Sequence, residues 1–331
     1  MQQYKQEWFG NIRGDILAGI VVCLALFPEV IGFMIVAGVP PIVGVYATFF
    51  ITAIAAFFGS SKGMISAAAG SVALVLAHLV AEYGIQYLFA ATILAGILQV
   101  ALGLLKVGTL MRYIPKPVMT GFVNGLGIMM FTSQLDHFQG SLLLPLLGLL
   151  GIAIIFLFPR VTKKIPAPIV AILVITAIVL GFGLDVKTLG DMGSISTDLP
   201  RFGIPAVPMT VETLRIIFPT ALSVAIVGLV ESLLTAQLVD EITEEKSDKN
   251  QETLSQGLGN VVSGFFGGIA GCGMIGQTII NLNYGGLGRL ATFLSGFFML
   301  LSVVLLNGSV VQIPVVALAA VMVVVSIETI N

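Results

Sequence analysis

The feature that most limits the fold of this chain is a series of apolar runs, many close to 20 residues long, bounded by proline, glycine or short charged stretches. About 20 apolar residues span the hydrocarbon layer of a bilayer as a helix. Charged residues make up 10% of the chain and hydrophobic residues 57%, against roughly 25% and 45–50% in soluble domains. We therefore predict an all-α polytopic membrane protein. Its predicted segments, numbered 1 to 12, are 16–38, 41–59, 66–82, 87–105, 117–135, 142–159, 166–183, 214–242, 251–267, 273–283, 289–309 and 312–330.

The connections between segments carry their positive charges in a regular pattern. Lysine and arginine lie before segment 1 or after an even-numbered segment, and the exception is the stretch 184–212, which also carries acidic residues. Positive loops stay on the cytoplasmic side of a membrane. We therefore predict a cytoplasmic leader at 1–15, an extracytoplasmic connection at 184–212, and a multi-pass protein of the inner (plasma) membrane.

The two halves of the chain share landmarks, which indicates an internal repeat. Glu29 lies in the middle of segment 1 and Glu231 in the middle of segment 8, about 200 residues later. Gly70 at the start of segment 3 and Gly271 near the start of segment 10 have nearly the same separation. Landmarks that keep one spacing predict that segment 8 begins a second copy of the unit begun by segment 1.

A repeat of seven segments must enter the membrane from opposite sides in its two copies, because seven is odd. Such inverted repeats are common in transporters. We predict a first inverted repeat at 16–183 and an incomplete second repeat at 213–331, containing segments 8–12 and truncated after about its fifth element. We therefore expect two segments of the second repeat to be missing and the chain to be a fragment or the product of a truncated open reading frame.

Segments 3 and 10 are short and begin with small residues, which predicts broken helices. The small residues lie at 67–71 and 270–273. A helix that begins within the membrane presents free backbone N–H groups and a positive dipole end, which can hold an anion without a basic side chain. Ser71 and Gln277 could add hydrogen bonds. The alternative is that the small residues only allow close helix packing.

Two acidic residues lie in the middle of predicted segments. A carboxylate at this depth is costly unless it faces a cavity, is paired or is protonated, so Glu29 and Glu231 are candidates for reversible binding of a proton or cation. Thr235 lies one turn after Glu231 on the same helical face and could add an oxygen ligand. The alternatives are a hydrogen-bonded structural acid and a threonine that bonds only its own helix.

Other classes of function find no support in the sequence. The net charge of −2 gives no nucleic-acid signal, and we identify no nucleophilic triad, phosphate loop or metal-spaced cluster. Cys23 and Cys272 lie in apolar surroundings, so a disulfide, a metal site or a redox role is unsupported. We therefore predict that the chain is not an enzyme and uses no cofactor or metal centre.

Several motifs together resemble the SulP family of anion transporters. That resemblance implies fourteen segments in two inverted repeats of seven, divided into a core and a gate and usually followed by a cytoplasmic STAS domain. It also implies homodimers that carry sulfate, bicarbonate or related anions by an elevator-like motion of the core. The motifs are Phe27-Pro-Glu-Val-Ile-Gly-Phe33, Pro41-Ile-Val-Gly-Val-Tyr46, Gly59-Ser-Ser-Lys62, Val230-Glu-Ser-Leu-Leu-Thr-Ala236, Ser247-Asp-Lys-Asn250 and Gln256 to Gly268.

The same resemblance implies where the anion and the coupling ion bind. The anion is expected between the N-termini of segments 3 and 10, where Phe33 and Gln277 also line the pocket. Glu29 matches a glutamate linked with proton coupling, whereas Glu231 and Thr235 match the aspartate and threonine that hold sodium in bicarbonate-transporting members. The residues expected at the two N-termini are Ala69, Gly70, Ser71, Gly271, Cys272 and Gly273.

These observations predict a proton-coupled symporter of a small inorganic anion, with sulfate ahead of bicarbonate. Its expected partners are the anion, a coupling proton or sodium ion, the lipid bilayer and a second copy of the chain. Three alternatives stay open: a sodium-coupled bicarbonate transporter, a nucleobase permease that shares the seven-plus-seven plan, and a non-transporting fragment or membrane subunit.

Overall fold

The computed structural model describes residues 2–109, 116–162, 166–192 and 199–329. In these parts of the chain it contains thirteen α-helices and two three-residue strands. The elements in chain order are α1 Gln2–Phe9, α2 Ile12–Ala37, α3 Pro41–Phe58, β1 Ser66–Ala68, α4 Gly70–Tyr83, α5 Ile85–Leu104, α6 Lys116–Gln134, α7 Leu143–Leu157, α8 Ala167–Phe182, α9 Val211–Thr243, α10 Lys249–Phe265, β2 Gly271–Gly273, α11 Ile275–Asn283, α12 Arg289–Val310 and α13 Val315–Thr329.

Helices α2 to α13 correspond one by one to predicted segments 1 to 12, and their bounds lie within a few residues of the prediction. Local chemistry explains the boundary between α2 and α3. Gly38 ends α2 in the left-handed conformation, with φ of 70°, and Pro41 supplies the first residue of α3. Glycine adopts positive φ at little cost, and proline suits the first turn, where its missing N–H is not needed.

Five helices are long and apolar enough to cross a membrane, and four more are apolar but shorter among the described residues. Helix α10 is not among them because it is rich in polar side chains, yet Glu252, Gln256 and Asn260 are at most 1% exposed. Its polar face is buried by other helices. The lipid-facing outside is apolar, as Leu149 of α7 and Leu173 of α8, each 63% exposed, illustrate.

The helices pack as two bodies, which we call the core and the gate. In the core, which comprises α1–α5 and α9–α12 with both strands, α12 packs on α2 and α3, and α10 packs on α3 and α5. In the gate, which comprises α6–α8 and α13, α13 packs on α6 and α7, and α7 packs on α8. The two bodies meet where α2 contacts α13 and α8, and where α4 contacts α6.

The contact between α5 and α10 is close enough to require glycine. A Cβ added at Gly257 would lie 2.6 Å from the backbone nitrogen of Val100, and one added at Gly96 would lie 2.6 Å from the carbonyl oxygen of Gly257. Gly103 and Gly264 are also confined: an added Cβ would lie 2.8 Å from Leu254 Cδ2 at Gly103 and 2.6 Å from Ile93 Cγ1 at Gly264. Small residues at such positions allow helix backbones to approach closely in membranes, so α5 and α10 form a closely packed pair.

Ion pairs gather several connections at one end of the molecule. The Nζ of Lys62, after α3, lies 3.7 Å from Glu7 of α1 and 2.6 Å from Glu245, after α9. Arg289, at the start of α12, lies 2.8 Å from the same Glu7. The leader and the connections after segments 2, 8 and 10 therefore meet at one end, as the charge pattern predicts.

The connection after α8 is attached to the gate. Thr188 forms an isolated bridge with Pro314, and Leu189 donates to the carbonyl of Ile313 at 2.9 Å. The loop is closed by Asp191, whose carboxylate accepts hydrogen bonds from the backbone and hydroxyl of Thr188. These bonds hold the pKa of Asp191 below its ordinary value.

Candidate functional site

The two short strands bring the two broken segments together. Strand β1 pairs antiparallel with β2, so that Ala67 lies opposite Cys272 and Ala68 opposite Gly271. Helix α4 starts at Gly70, two residues after β1, and α11 starts at Ile275, two residues after β2. The pairing therefore places the N-termini of both half-helices at the two ends of one small sheet.

The structure refines the position of the predicted residues of segment 10. Gly271, Cys272 and Gly273 form β2, ahead of the helix, whereas the first turn of α11 begins at Ile275, with Met274 as its N-cap. In segment 3, Ala69 is the N-cap of α4, and Gly70 and Ser71 belong to its first turn. The residues that segment 10 places beside β1 therefore belong to a strand and not to the first turn of a helix.

Glu231 lies between the two broken segments. One of its carboxylate oxygens, Oε2, accepts a hydrogen bond from the hydroxyl of Ser71 at 2.7 Å and another from the thiol of Cys272 at 2.7 Å. Ser71 comes from the first turn of α4 and Cys272 from β2, so groups from both half-chains converge on a single carboxyl oxygen. The same two donors can serve another anion.

Glu29 makes a matching contact with α11. Its Oε1 accepts a hydrogen bond from the side-chain amide of Gln277 at 2.6 Å. Gln277 lies in the first turn of α11, is 2% exposed, and has an amide oxygen without a hydrogen-bond partner among the described residues. A buried amide oxygen without a donor is costly, so this position is suited to a group that gains and loses a proton.

Thr235 and the neighbouring Ser232 hold the strand rather than project into open space. The Thr235 hydroxyl donates to the carbonyl of Glu231 at 2.8 Å and to that of Gly273 at 3.1 Å, and the backbone N–H of Gly273 donates to Ser232 Oγ at 2.8 Å. The hydroxyl oxygen of Thr235 remains a potential cation ligand beside Glu231, and the sodium site stays a prediction. No group of three histidine, cysteine or acidic residues suited to a metal occurs among the described residues.

Phe33 and Gly70 form the wall next to the start of α4. A Cβ added at Gly70 would lie 2.6 Å from Phe33 Cε1 and 3.0 Å from Met130 Cε. Phe33 is 3% exposed and belongs to the core, whereas Met130 belongs to the gate and is 6% exposed. The candidate site therefore lies where core and gate meet.

Sequence reasoning did not identify Ser232, Asn260 or Met130. A signal existed for Ser232, because it adjoins Glu231 in the quoted motif 230–236. Asn260 lies in the quoted motif 256–268, and its contact with Gly271 depends on the folded arrangement. Nothing in the sequence pattern places Met130 against Gly70.

These features define a class of protein: a polytopic helical transporter with a core, a gate and two broken helices that meet at a buried site. The chain belongs to the sulfate permease family, whose model matches residues 12–143 and 141–331. This is the family predicted from the motifs, and it is a family of transporters, so the prediction that the chain is not an enzyme is confirmed. The family match also favours anion transport over the nucleobase permease.

Curated relatives agree with this assignment. The chain is 56% identical to a Bacillus subtilis protein described as "Putative sulfate transporter YbaR", covering 98% of this chain and 68% of the relative. It is 28% identical to the bicarbonate transporter BicA of Picosynechococcus, covering 100% of this chain and 64% of that protein. The chain spans about two thirds of the length of these relatives.

Solved structures share the fold. The transmembrane domain of a cyanobacterial bicarbonate transporter, BicA, superposes with a TM-score of 0.86 at 26% identity, covering 98% of this chain and 90% of that one. The structure of SLC26A9 gives a TM-score of 0.84 at 20% identity, covering 96% of this chain and 58% of that one. The predicted seven-plus-seven inverted-repeat fold is confirmed by this likeness to BicA and SLC26A9.

Proposed function

We propose that the chain belongs to a proton-coupled symporter of a small inorganic anion, with sulfate as the first candidate. The observation that carries this proposal is the strand pairing that sets the starts of α4 and α11 beside two partly buried glutamates. The sulfate descriptions of the more similar relatives support sulfate ahead of bicarbonate.

The anion would be held mainly by backbone and neutral donors. The first turns of α4 and α11 offer free N–H groups and positive dipole ends. Ser71, Cys272 and Gln277 add a hydroxyl, a thiol and an amide. Because no arginine or lysine lies among these donors, the charge of nearby carboxylates has a strong influence on anion affinity.

Glu29 would carry the proton. When it is ionised, its negative charge opposes an incoming anion; two unit charges about 8 Å apart repel by about 2 kcal/mol at an effective dielectric constant of about 20, or roughly 30-fold in affinity. Gln277 can serve both states of Glu29. Its amide N–H₂ donates to the carboxylate, and after rotation its oxygen accepts from the carboxylic acid.

Glu231 would compete with the anion for donors. Its carboxylate uses the same hydroxyl and thiol, from Ser71 and Cys272, that a bound anion needs. Anion entry therefore requires this carboxylate to move aside or to be neutralised. Neutralisation by sodium, with Thr235 as a further ligand, is the alternative coupling that the test below separates from proton coupling.

Transport would follow from movement of the core past the gate. The close contact between Gly32 of α2 and Met322 of α13, and that between Gly70 and Met130, lie on the surface where the two bodies would slide. We place the chain in the inner membrane with its N-terminus cytoplasmic, because the connections rich in lysine and arginine gather at the end that holds the leader. The homodimer stays a prediction.

Flux into proteoliposomes tests the proposal. Sulfate, bicarbonate and chloride uptake would be measured with imposed pH and sodium gradients for the wild type, Glu29→Gln, and the control Glu82→Gln. Glu82 is an exposed glutamate at the far end of α4. We expect sulfate accumulation driven by an inward proton gradient, lost in Glu29→Gln and retained in the control.

Two outcomes would contradict the proposal. Accumulation that persists in Glu29→Gln with the same pH dependence would remove Glu29 from coupling. Uptake that requires sodium while the pH gradient is clamped would replace proton coupling with sodium coupling at Glu231 and Thr235.

A further inference from the structure

The outer edge of β2 is held by side chains from surrounding helices. Gly271 and Gly273 direct their backbone groups away from β1 and towards side chains of α9 and α10. A strand with one neighbour inside a membrane protein has no water to satisfy its other edge, so each group there needs a partner. The position of β2 therefore depends on these side chains.

Asn260 replaces a neighbouring strand at Gly271. Its Oδ1 accepts from the N–H of Gly271 at 2.8 Å, and its Nδ2 donates to the carbonyl of Gly271 at 3.1 Å. This two-point contact satisfies both backbone groups of one residue, as a paired strand does. Asn260 is 0% exposed, so water does not compete for these bonds.

Gln99 in turn fixes Asn260. Its Oε1 accepts the second hydrogen of Asn260 Nδ2 at 2.8 Å, and its Nε2 donates to the carbonyl of Ala225 at 3.3 Å. Gln99 comes from α5 and Ala225 from α9, and Gln99 is also 0% exposed. Three helices thus determine the orientation of one amide.

The residue after Gly271 is Cys272, whose thiol lies 2.7 Å from Glu231. A displacement of Gly271 therefore moves a donor of the candidate anion site relative to Ser71 on α4. Displacements of about 1 Å at a functional site commonly cost large factors in binding or rate, and supporting residues prevent them.

We propose that Asn260, oriented by Gln99, is a positioning residue that sets the spacing between the β2 and α4 donors and thereby selects anions by size. This inference rests on the proposed function, because it assumes that the anion lies between β2 and α4. Asn260 itself does not touch the anion; it acts through Gly271.

The test compares affinities for tetrahedral dianions of increasing radius, using sulfate, selenate and molybdate with the purified full chain in detergent. Asn260→Leu removes both contacts with Gly271 at similar volume, and Gln99→Met removes only the orienting contacts. Ser255→Ala is the matched control, because Ser255 lies on α10, is 2% exposed and has a hydroxyl without a partner among the described residues.

We expect Asn260→Leu to weaken sulfate binding about tenfold and to change the sulfate-to-molybdate affinity ratio. Gln99→Met should shift the ratio in the same direction by less, and the double variant should match Asn260→Leu alone. The control should keep the wild-type ratio. A purely structural role would lower the melting temperature and the folded yield and leave the ratio for folded protein unchanged.

An unchanged ratio in folded Asn260→Leu would overturn the inference. If that variant does not fold, an unchanged ratio in Gln99→Met would do the same. A wild-type chain that binds none of the three anions would instead refute the proposed function itself, and with it the basis of this inference.

Discussion

The close contact between α5 and α10 gives a quantitative prediction for two glycines on the same helix. A Cβ at Gly257 would lie 2.6 Å from the backbone nitrogen of Val100 and 2.7 Å from the carbonyl oxygen of Gly96. These are backbone atoms of α5 and cannot rotate away. A Cβ at Gly259 would lie 3.5 Å from its nearest neighbour, in Ile51, which is an ordinary contact. Both glycines are buried.

Gly257→Ala and Gly259→Ala gain the same helix propensity, about 1 kcal/mol. Only Gly257→Ala must push α5 and α10 apart, and overpacking of this kind costs about 1–3 kcal/mol. At about 2 °C per kcal/mol for a chain of this size, we expect Gly257→Ala to melt about 2–6 °C below Gly259→Ala. Because both variants gain the same helix propensity, the difference between their melting temperatures reports the cost of overpacking.

Thermal unfolding in detergent, followed by far-ultraviolet circular dichroism, measures this difference. Anion affinity provides a second readout, because Asn260 lies one turn after Gly257 and its bond to Gln99 crosses the same helix contact. Gly257→Ala should therefore weaken anion binding, whereas Gly259→Ala should not. Equal melting temperatures for the two variants would refute the packing argument.

Three further substitutions test other contacts. Ser71→Ala removes one of the donors to the anion and should weaken sulfate binding about tenfold or more by titration calorimetry, since a hydrogen bond to a charged group contributes about 1.5–3 kcal/mol; Ser71→Thr should restore it. Arg289→Gln removes the charge beside Glu7 and should speed proteolysis of the leader, and an unchanged rate would contradict this docking. Glu252→Ala leaves the backbone N–H groups of Ser60 and Ser61 without their acceptor and should lower the melting temperature more than Glu252→Gln.

The order and bounds of the membrane segments could be predicted from the sequence because two independent signals agree. Apolar runs mark the segments, and lysine and arginine mark alternate connections. Helix α10 shows why both signals are needed: its length and composition do not mark it as a span. The charge pattern, however, places Lys249 and Arg289 on the same side of the membrane, as a pair of crossings by α10 and α11 between them requires. The structure buries the polar face of α10 against α3, α5 and α9.

The strand pairing could not be predicted from the sequence. Three residues are too short for a strand pattern, and Ala67 or Gly271 would suit close helix packing equally well. What determines the strands is the set of side chains that satisfy their edges, such as Asn260 and Ser232, and these come from helices far along the chain. Local sequence cannot report which distant side chain completes a backbone hydrogen bond.

The hydrogen bonds of the two glutamates give a physical reason for the broken helices to lie together. Glu29 belongs to the first repeat, yet its carboxylate accepts from Gln277 of the second repeat. Glu231 belongs to the second repeat, yet it accepts from Ser71 of the first. Each half-chain therefore carries a partly buried acid that accepts a hydrogen bond from the other half, and this bond offsets part of the cost of removing the carboxylate from water. These hydrogen bonds link the two repeats at the site where both half-helices begin. A change in the protonation of either acid therefore alters a hydrogen bond with a residue of the other repeat.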